Sequence, residues 1–180
     1  MSQPHCGREN LLCYIQFMSV AELQKDTGCV VSWRARPVSF VSLMSLYESN
    51  YIRLGWLIED VASIDGAAVS AVQGDCPLHL KVEERSRYTT TLSLTYLFES
   101  DASLIADPDL QIRIYHDARL AEVQSCARWH RHSMLESIRS RLARALSDRW
   151  LRNIMLNKWL DYCVERGHRF ALTPAVAADR

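Results

Sequence analysis

The middle of the chain contains one unusually long run in which mostly apolar and mostly polar residues alternate, and this run constrains the fold more than any other feature. From Tyr88 to Phe98 every second residue would face one side of a strand, and Thr89, Thr91 and their successors would face the other. A period of two, with many β-branched and aromatic residues, is typical of a half-buried strand. The sequence therefore predicts a sheet with one buried face.

Shorter runs of the same kind flank this strand. Their apolar positions are Leu78, Leu80 and Val82 before it and Leu110, Ile112, Ile114, Ala121 and Val123 after it. Turn residues, including Asp107-Pro108-Asp109, separate the runs. Because no helical pattern intervenes, we expect an antiparallel sheet of about four to five strands with one face exposed to solvent.

Helical periodicity occurs on both sides of the predicted sheet. Residues 42–61 place apolar side chains at spacings of three and four, which predicts an N-terminal helix. The last third predicts a C-terminal helical segment with two such stripes, from Leu135 to Leu146 and from Ile154 to Val164. Ser147-Asp148 is a candidate cap for a fresh helix start, and Gly167 a candidate stop. The order helix, sheet, helix indicates an α+β fold.

The boundaries follow from where this patterning begins and ends. Residues 38–170 are predicted to form a single α+β domain, since 180 residues suit one ordinary domain. Residues 1–37 lack periodicity and are expected to be a poorly ordered or over-annotated N-terminal extension, and residues 171–180 a flexible tail. The apolar stretch from Leu11 to Val20 is too short to span a bilayer and lacks the flanks of a secretory signal, so we expect neither secretion nor membrane association.

Charge and cysteine content narrow the classes of function. The net charge is +0, so no global field would recruit nucleic acid or an acidic membrane. Residues 1–109 carry 8 basic and 14 acidic residues, against 13 and 7 in residues 110–180. Halves of opposite sign often pack on one another or give a molecule with two faces. The six cysteines are scattered singly without a Cys-x-x-Cys pair, which favours reduced thiols and a cytoplasmic location over disulfides or a zinc site.

Four segments are distinctive in their order and spacing. They are Leu46-Tyr47-Glu48-Ser49-Asn50-Tyr51, Ser86-Arg87-Tyr88-Thr89-Thr90-Thr91, Arg113–Val123 and Trp159–Cys163. Together they resemble the YqiB-like proteins, a small family of proteobacterial proteins catalogued as a domain of unknown function, over about residues 38–167. The resemblance implies bacterial relatives and an intracellular location. It implies no activity, because none is established for the family.

The densest group of ionisable residues in the predicted sheet surrounds His116 and Asp117. In a functional interpretation, His116 is a general base oriented by a carboxylate, and an arginine binds an anion. In the alternative, Asp117 bonds the amides of a turn and His116 packs at the end of a strand. Both interpretations stay open. The candidate ligand-binding residues are Arg87, Tyr88, Arg113, His116, Asp117, Arg119 and Glu122.

Other signatures of chemistry are weak or missing. No serine stands in a glycine-flanked elbow and the six glycines are isolated, so neither a Ser-His-Asp nucleophile nor a phosphate or dinucleotide loop is predicted. His130-Arg131-His132 lacks nearby carboxylates, and we expect no metal or other cofactor. Seven arginines in residues 128–152 could contact phosphate, but they do not form a single stripe, and a solvated helix face explains them as well.

Three functions are compatible with these residues. The first is a non-enzymatic interaction or regulatory module that binds a protein partner or a second copy through an exposed edge and face of the sheet. The second is a small anionic ligand-binding protein, or an enzyme, that uses Arg87, Tyr88, His116 and Asp117. The third is weak nucleic-acid binding through residues 128–152, which we do not expect at physiological salt. The lack of a complete catalytic constellation in the sequence favours the interaction module.

Overall fold

The computed structural model describes residues 39–100, 103–126 and 141–171. These residues form two α-helices and six β-strands. In chain order the elements are α1 (Phe40–Leu57), β1 (Ala67–Ser70), β2 (Leu78–Arg85), β3 (Thr89–Ser100), β4 (Ser103–Ala106), β5 (Leu110–Tyr115), β6 (Leu120–Cys126) and α2 (Arg141–Glu165). The order helix, sheet, helix confirms the predicted α+β fold.

The strands pair antiparallel in the order β1-β2-β3-β5-β6, and β4 pairs antiparallel with the C-terminal end of β3. The long alternating run is the central strand β3, which pairs with β2 on one side and with β5 on the other. The register shifts between Val82 and Glu84 in β2, where the strand bulges. The segment that most constrained the fold in the sequence therefore occupies the middle of the sheet.

One face of the sheet carries the core, and both helices contribute to it. Leu54 and Leu57 of α1 and Trp159 and Leu160 of α2 are fully buried there. The strands supply the opposing apolar surface: Leu78, Leu80, Leu92, Leu94, Tyr96, Leu110, Ile112, Ile114, Ala121 and Val123. Burying one such large side chain contributes roughly 1.5–3 kcal/mol to folding. The predicted one-sided sheet is thus held by the burial of its apolar face.

Local hydrogen bonds define the start of α1 and the end of α2. The Ser39 hydroxyl caps α1 by accepting a backbone N–H from the first turn at 3.2 Å. α2 ends in a Schellman motif, in which the Gly167 N–H donates to Val164 O and the His168 N–H to Cys163 O, both at 3.0 Å. Gly167 has a φ of +92°, which glycine adopts without strain. The predicted stop at Gly167 is confirmed.

The structure also departs from the sequence-based prediction at three elements, α2, β1 and β4. α2 runs unbroken through Ser147-Asp148, so the predicted fresh helix start at that site is wrong. Trp150 and Ile154 continue the buried stripe beyond it, and tertiary packing outweighs a local capping preference. β1 and β4 have four residues each, too few to show a period of two. The predicted N-terminal extension and C-terminal tail lie outside the described residues, apart from Ala171.

The cysteines correct one expectation. Cys163 is a free and fully buried thiol, and burial raises the pKa of Cys163 to about 12. Cys76 is disulfide-bonded, so the expectation of reduced thiols is wrong for Cys76. Spacing along the chain does not reveal which cysteines approach each other in space.

Neither of the two described helices is long and apolar enough to cross a membrane.

Candidate functional site

Two turns lie side by side at one end of the sheet. Residues 86–88 join β2 to β3, and residues 116–119 join β5 to β6. Thr89 pairs with Tyr115, and the His116 N–H donates to Tyr88 O at 2.9 Å, so the turns are neighbours. We call residues 86–88 and 116–119 the hairpin end. It contains five of the seven candidate residues: Arg87, Tyr88, His116, Asp117 and Arg119.

His116 lies at the rim of the buried face of the sheet. Its Nε2 is 2.8 Å from the hydroxyl of Thr90, which is fully buried. Its Nδ1 is enclosed and has no hydrogen-bond partner in the described part of the chain. Burial lowers the pKa of His116 and the Arg85 cation adds to this effect, whereas the carboxylates of Asp117 and Asp60 oppose it. The imidazole is therefore neutral near pH 7.

Asp117 makes the contact expected of a turn residue. Its Oδ1 accepts a hydrogen bond from the Ala118 N–H at 2.9 Å. Arg119, two residues later, adopts a positive φ of 53°, which completes the tight turn into β6. The turn interpretation of Asp117 has this direct support. A role in ligand binding stays a prediction.

Arg87 and Tyr88 form a stacked pair on the surface of the hairpin end. The guanidinium carbon of Arg87 lies 5.0 Å from the centre of the Tyr88 ring, a cation–π distance. Tyr88 is 52% exposed. The pair therefore presents a cation and an aromatic face to solvent.

Arg113 and Glu122 lie on the opposite, polar face of the sheet. Arg113 Nη2 is 3.5 Å from Glu84 Oε2, and Glu122 Oε1 accepts a hydrogen bond from the Tyr115 hydroxyl at 2.9 Å. Successive side chains of a strand point to opposite faces, so Arg113 and His116 are close in sequence but face different ways. The structure thus separates the seven candidates into a hairpin-end group of five and a polar-face pair.

The polar face also contains a shallow, open cavity of about 220 Å³. It is lined by Glu83, Ser93, Asp109, Gln111 and Ser125. None of the seven candidate residues lines it. Its volume lies below the range of roughly 300–1,000 Å³ that is usual for ligand pockets. Among the described residues, no group of three or more His, Cys, Asp or Glu side chains is placed to hold a metal ion.

Comparison with known proteins identifies the family. A family model described as "Protein of unknown function (DUF1249)" matches residues 53–169, which include all six strands. The chain belongs to this family. Proteins named "Uncharacterized protein YqiB" from Escherichia coli (strain K12) and Escherichia coli O157:H7 are each 28% identical to it over 131 residues, which cover 71% of this chain and 90% of the relative. No solved structure matches the chain significantly.

The resemblance inferred from the four sequence segments is thereby confirmed. All seven candidate residues lie within the part of the chain that the DUF1249 model matches. The family is one of unknown function and the two relatives are uncharacterised. The match therefore transfers no activity, and function has to be argued from this chain's own geometry.

Three fully buried asparagines, not singled out in the sequence, join both helices to β6. We call Asn50, Asn153 and Asn157 the asparagine cluster. Asn153 Oδ1 accepts hydrogen bonds from the Val123 N–H at 3.1 Å and from Asn50 Nδ2 at 3.2 Å. Asn50 Nδ2 also reaches Ala121 O at 3.5 Å. These bonds satisfy backbone groups of an edge strand, so they oppose the addition of a further strand there.

A serine, a histidine and an aspartate also come together, at the end of α2. Ser70 Oγ is 3.2 Å from His168 Nδ1, and His168 Nε2 is 3.5 Å from Asp75 Oδ2. Ser70 Oγ also accepts the Arg169 N–H at 3.1 Å. Ser70 and His168 are buried, and only 5% of the Asp75 side chain is exposed. Ser70 is buried and its hydroxyl is held by His168 and by the Arg169 N–H, so this arrangement links the segment after α2 to β1.

The outer face of α1 carries exposed apolar side chains. Of the seven large apolar side chains exposed in the described residues, four belong to this helix: Phe40, Val41, Ile52 and Trp56. The Trp56 ring lies 5.6 Å from the guanidinium carbon of Arg53, and Arg53 Nε is held by Asp161 Oδ1 at 2.6 Å. Arg169 Nη1 donates to Trp56 O at 2.9 Å. The Trp56 ring is therefore stacked on a guanidinium that Asp161 holds, while 49% of the residue stays exposed.

The arginine-rich segment lies mostly outside the described side chains. Of its seven arginines, the structure describes the side chains of Arg149, which is exposed, and Arg152, which is half-buried. The His130-Arg131-His132 motif is also outside the described residues. Weak nucleic-acid binding through residues 128–152 stays a prediction.

Proposed function

We propose that this protein is a non-enzymatic interaction module and that the outer face of α1 is its contact surface. The observation that carries the proposal is the Arg53–Trp56 pair on that face. Tryptophan and arginine dominate the hot spots of protein interfaces, because they bury large areas and lose little freedom once supported. Trp56 has that support from Arg53 and is still half exposed.

The sheet edges favour a helix face over strand addition as the mode of binding. At one edge, side chains of the asparagine cluster occupy backbone groups of β6. At the other edge, β1 has only four residues and the adjacent β2 bulges after Val82. Short, bulged or covered edges are the usual protection against pairing with another chain. The exposed strand edge expected from the sequence is therefore a poorer candidate than α1.

A photo-crosslinking experiment tests the proposal. A photoreactive residue is placed at Ile52 of the full chain in bacterial cells, and the same residue at Val69 serves as the matched control. Both side chains are exposed to a similar degree, 47% and 58%, but Val69 lies on β1. We expect discrete crosslinked adducts from Ile52 and none from Val69. If Ile52 gives no more adduct than Val69, α1 is not a contact surface and the proposal fails.

A second candidate function is the binding of a small anion at the hairpin end. It is favoured by the exposed Arg87 cation, which lies over the Tyr88 ring beside the turn that contains His116 and Asp117. Titration with inorganic phosphate and with a panel of anionic metabolites, monitored by NMR, tests this second candidate function. Binding should be lost in Arg87→Ala and kept in Lys81→Ala, a control that removes an exposed cation from the polar face. Equal binding by both variants would remove this candidate.

We also propose a location in the bacterial cytoplasm. The free thiol of Cys163 supports it, whereas the disulfide of Cys76 speaks against it, because the bacterial cytoplasm keeps thiols reduced. Fractionation of cells that express the full chain decides whether the protein is in the cytoplasm. Recovery in the periplasmic fraction would overturn the cytoplasmic location without affecting the interaction proposal.

A further inference from the structure

We infer that the partner bound by the outer face of α1 is a second copy of this chain, related by a two-fold axis near Ile52. The inference rests on the proposed function and names its partner. Three features of the face support it: a glycine that the described fold does not require, a self-complementary arrangement of charge, and an apolar centre.

Gly55 is the first feature that points to a second helix. It lies within α1, where glycine is less favourable than alanine, and its φ is not positive. A Cβ at this position would meet no atom within 4 Å, so nothing in the described fold requires glycine there. Gly55 follows Ile52 by three residues and therefore lies on the same exposed stripe. A residue without a side chain lets the backbone of a packed helix approach closely.

The charges of this face are complementary to themselves. In two antiparallel copies of α1 that cross at Ile52, residues equally distant from Ile52 oppose each other, so Glu48 of one copy faces Trp56 of the other. Arg169, which donates to Trp56 O at 2.9 Å, is exposed and has no carboxylate partner among the described residues. An exposed Glu48 would therefore meet a cation in each half of the contact.

The same charges select the position of the axis. An axis at Glu48 would place the two Glu48 carboxylates against each other, and like charges in contact disfavour association. An axis at Ile52 instead brings two apolar side chains together, each 47% exposed in one chain. Trp56 then flanks the centre, and Glu48 and Arg169 form a polar rim, which is the usual anatomy of a protein interface. The net charge of +0 adds no repulsion between copies.

The test measures the mass of the full chain in solution over a wide concentration series, by sedimentation velocity and light scattering. We expect the mass to rise from one chain to two. A Cβ at position 55 meets open space in the single chain, whereas a leucine side chain blocks a close helix, so Gly55→Leu should weaken association by at least about tenfold while circular dichroism stays unchanged. Ile52→Asp should do the same, and Val69→Asp is the control without effect.

A charge exchange tests the register. Glu48→Arg and Arg169→Glu should each weaken association, and the double variant should recover it, since the pair forms again with its signs reversed. A double variant no better than the two single variants would rule out the axis at Ile52.

The outcomes separate this inference from the proposed function. A wild-type protein that stays a single chain throughout, or a dimer that Gly55→Leu and Ile52→Asp leave intact, overturns the inference. In cells, an Ile52 adduct with the mass of two chains supports both claims. An adduct of any other mass overturns the second-copy inference and leaves the interaction module standing, and no adduct contradicts the proposed function itself.

Discussion

Asn153 joins three elements through one amide group. Its Oδ1 accepts hydrogen bonds from the Val123 N–H of β6 and from Asn50 of α1, and its Nδ2 donates to Arg149 O within α2 at 2.8 Å. The side chain is fully buried, so water cannot replace these bonds when the amide is removed. At this position one residue fixes how both helices meet an edge of the sheet.

We expect Asn153→Ala to lower the free energy of unfolding by about 2–4 kcal/mol, because it leaves the buried Val123 N–H without its acceptor and removes the shortest hydrogen bond of Asn50 Nδ2. Urea unfolding followed by circular dichroism measures this. Gln124→Ala, at an exposed position of the same strand, should change the value by less than about 0.5 kcal/mol. Similar values for the two variants would mean that the asparagine cluster does not stabilise the packing of the helices against β6.

At the hairpin end, Asp117→Ala should lower the free energy of unfolding by about 0.5–2 kcal/mol, by analogy with lost capping bonds. The reason is the bond that Asp117 Oδ1 accepts from the Ala118 N–H. Arg87→Ala removes an exposed cation and should leave the thermal midpoint almost unchanged. Thermal melting compares the two. A neutral or stabilising Asp117→Ala that also abolished phosphate binding would favour the ligand site, since functional residues often reduce stability.

At the scale of elements, the two helices place glycine in opposite settings. Gly55 lies in the last turn of α1 with ordinary helical geometry and open space around it. Gly167 ends α2 with a φ of +92°. The first position tolerates a Cβ and the second strains any residue that has one.

We expect Gly55→Ala to raise the free energy of unfolding by up to about 1 kcal/mol, because alanine favours the helix and loses less freedom on folding. Gly167→Ala should lower it by about 1 kcal/mol or more, since alanine is strained at positive φ. Chemical unfolding at low protein concentration measures both variants as single chains. A stabilising Gly167→Ala would show that the Schellman motif does not define the end of α2.

The elements show which parts of the structure could be predicted from the sequence. β3 and the stop at Gly167 were predictable, because their signals are local: a period of two and a residue that accepts positive φ. β1 and β4 were not, since four residues show no period. The ionisable group around His116 was predicted from its density along the chain, but strand alternation places Arg113 and Glu122 on the other face of the sheet. Contacts such as Ser70 with His168, 98 positions apart, depend on tertiary folding that no local pattern encodes.

At the scale of the whole molecule, the acidic first half and the basic second half of the chain are joined by ion pairs. Ion pairs that link residues 1–109 to residues 110–180 include Arg53–Asp161, Arg113–Glu84 and Arg166–Asp75. In the second and third of these, the cation comes from the basic half and the carboxylate from the acidic half. This agrees with the expectation that the two halves pack on one another.

The pH dependence of stability is also a property of the whole fold, and two histidines of the described residues contribute to it near neutrality. Burial lowers the pKa of His168 and of His116 below the usual value of about 6.5, although Asp75 and Asp117 respectively oppose this. Below about pH 6.5 the unfolded chain therefore binds protons that the folded chain does not. Stability should be full above that pH and decrease as the pH falls from about 6.5 towards the lower folded-state pKa values.

We therefore expect the thermal midpoint to decrease as the pH is lowered from about 7.5 to about 5, a range above that in which the carboxylates of the ion pairs titrate. His168→Asn keeps a polar group near Ser70 but cannot be protonated, so its midpoint should be lower at pH 7.5 and should fall less steeply with acid. His79→Asn, on β2, is the matched control and should keep the slope of the natural protein. Calorimetry at several pH values measures all three. An equal slope for His168→Asn and the natural protein would mean that the buried imidazole at the end of α2 does not set the acid sensitivity of the fold.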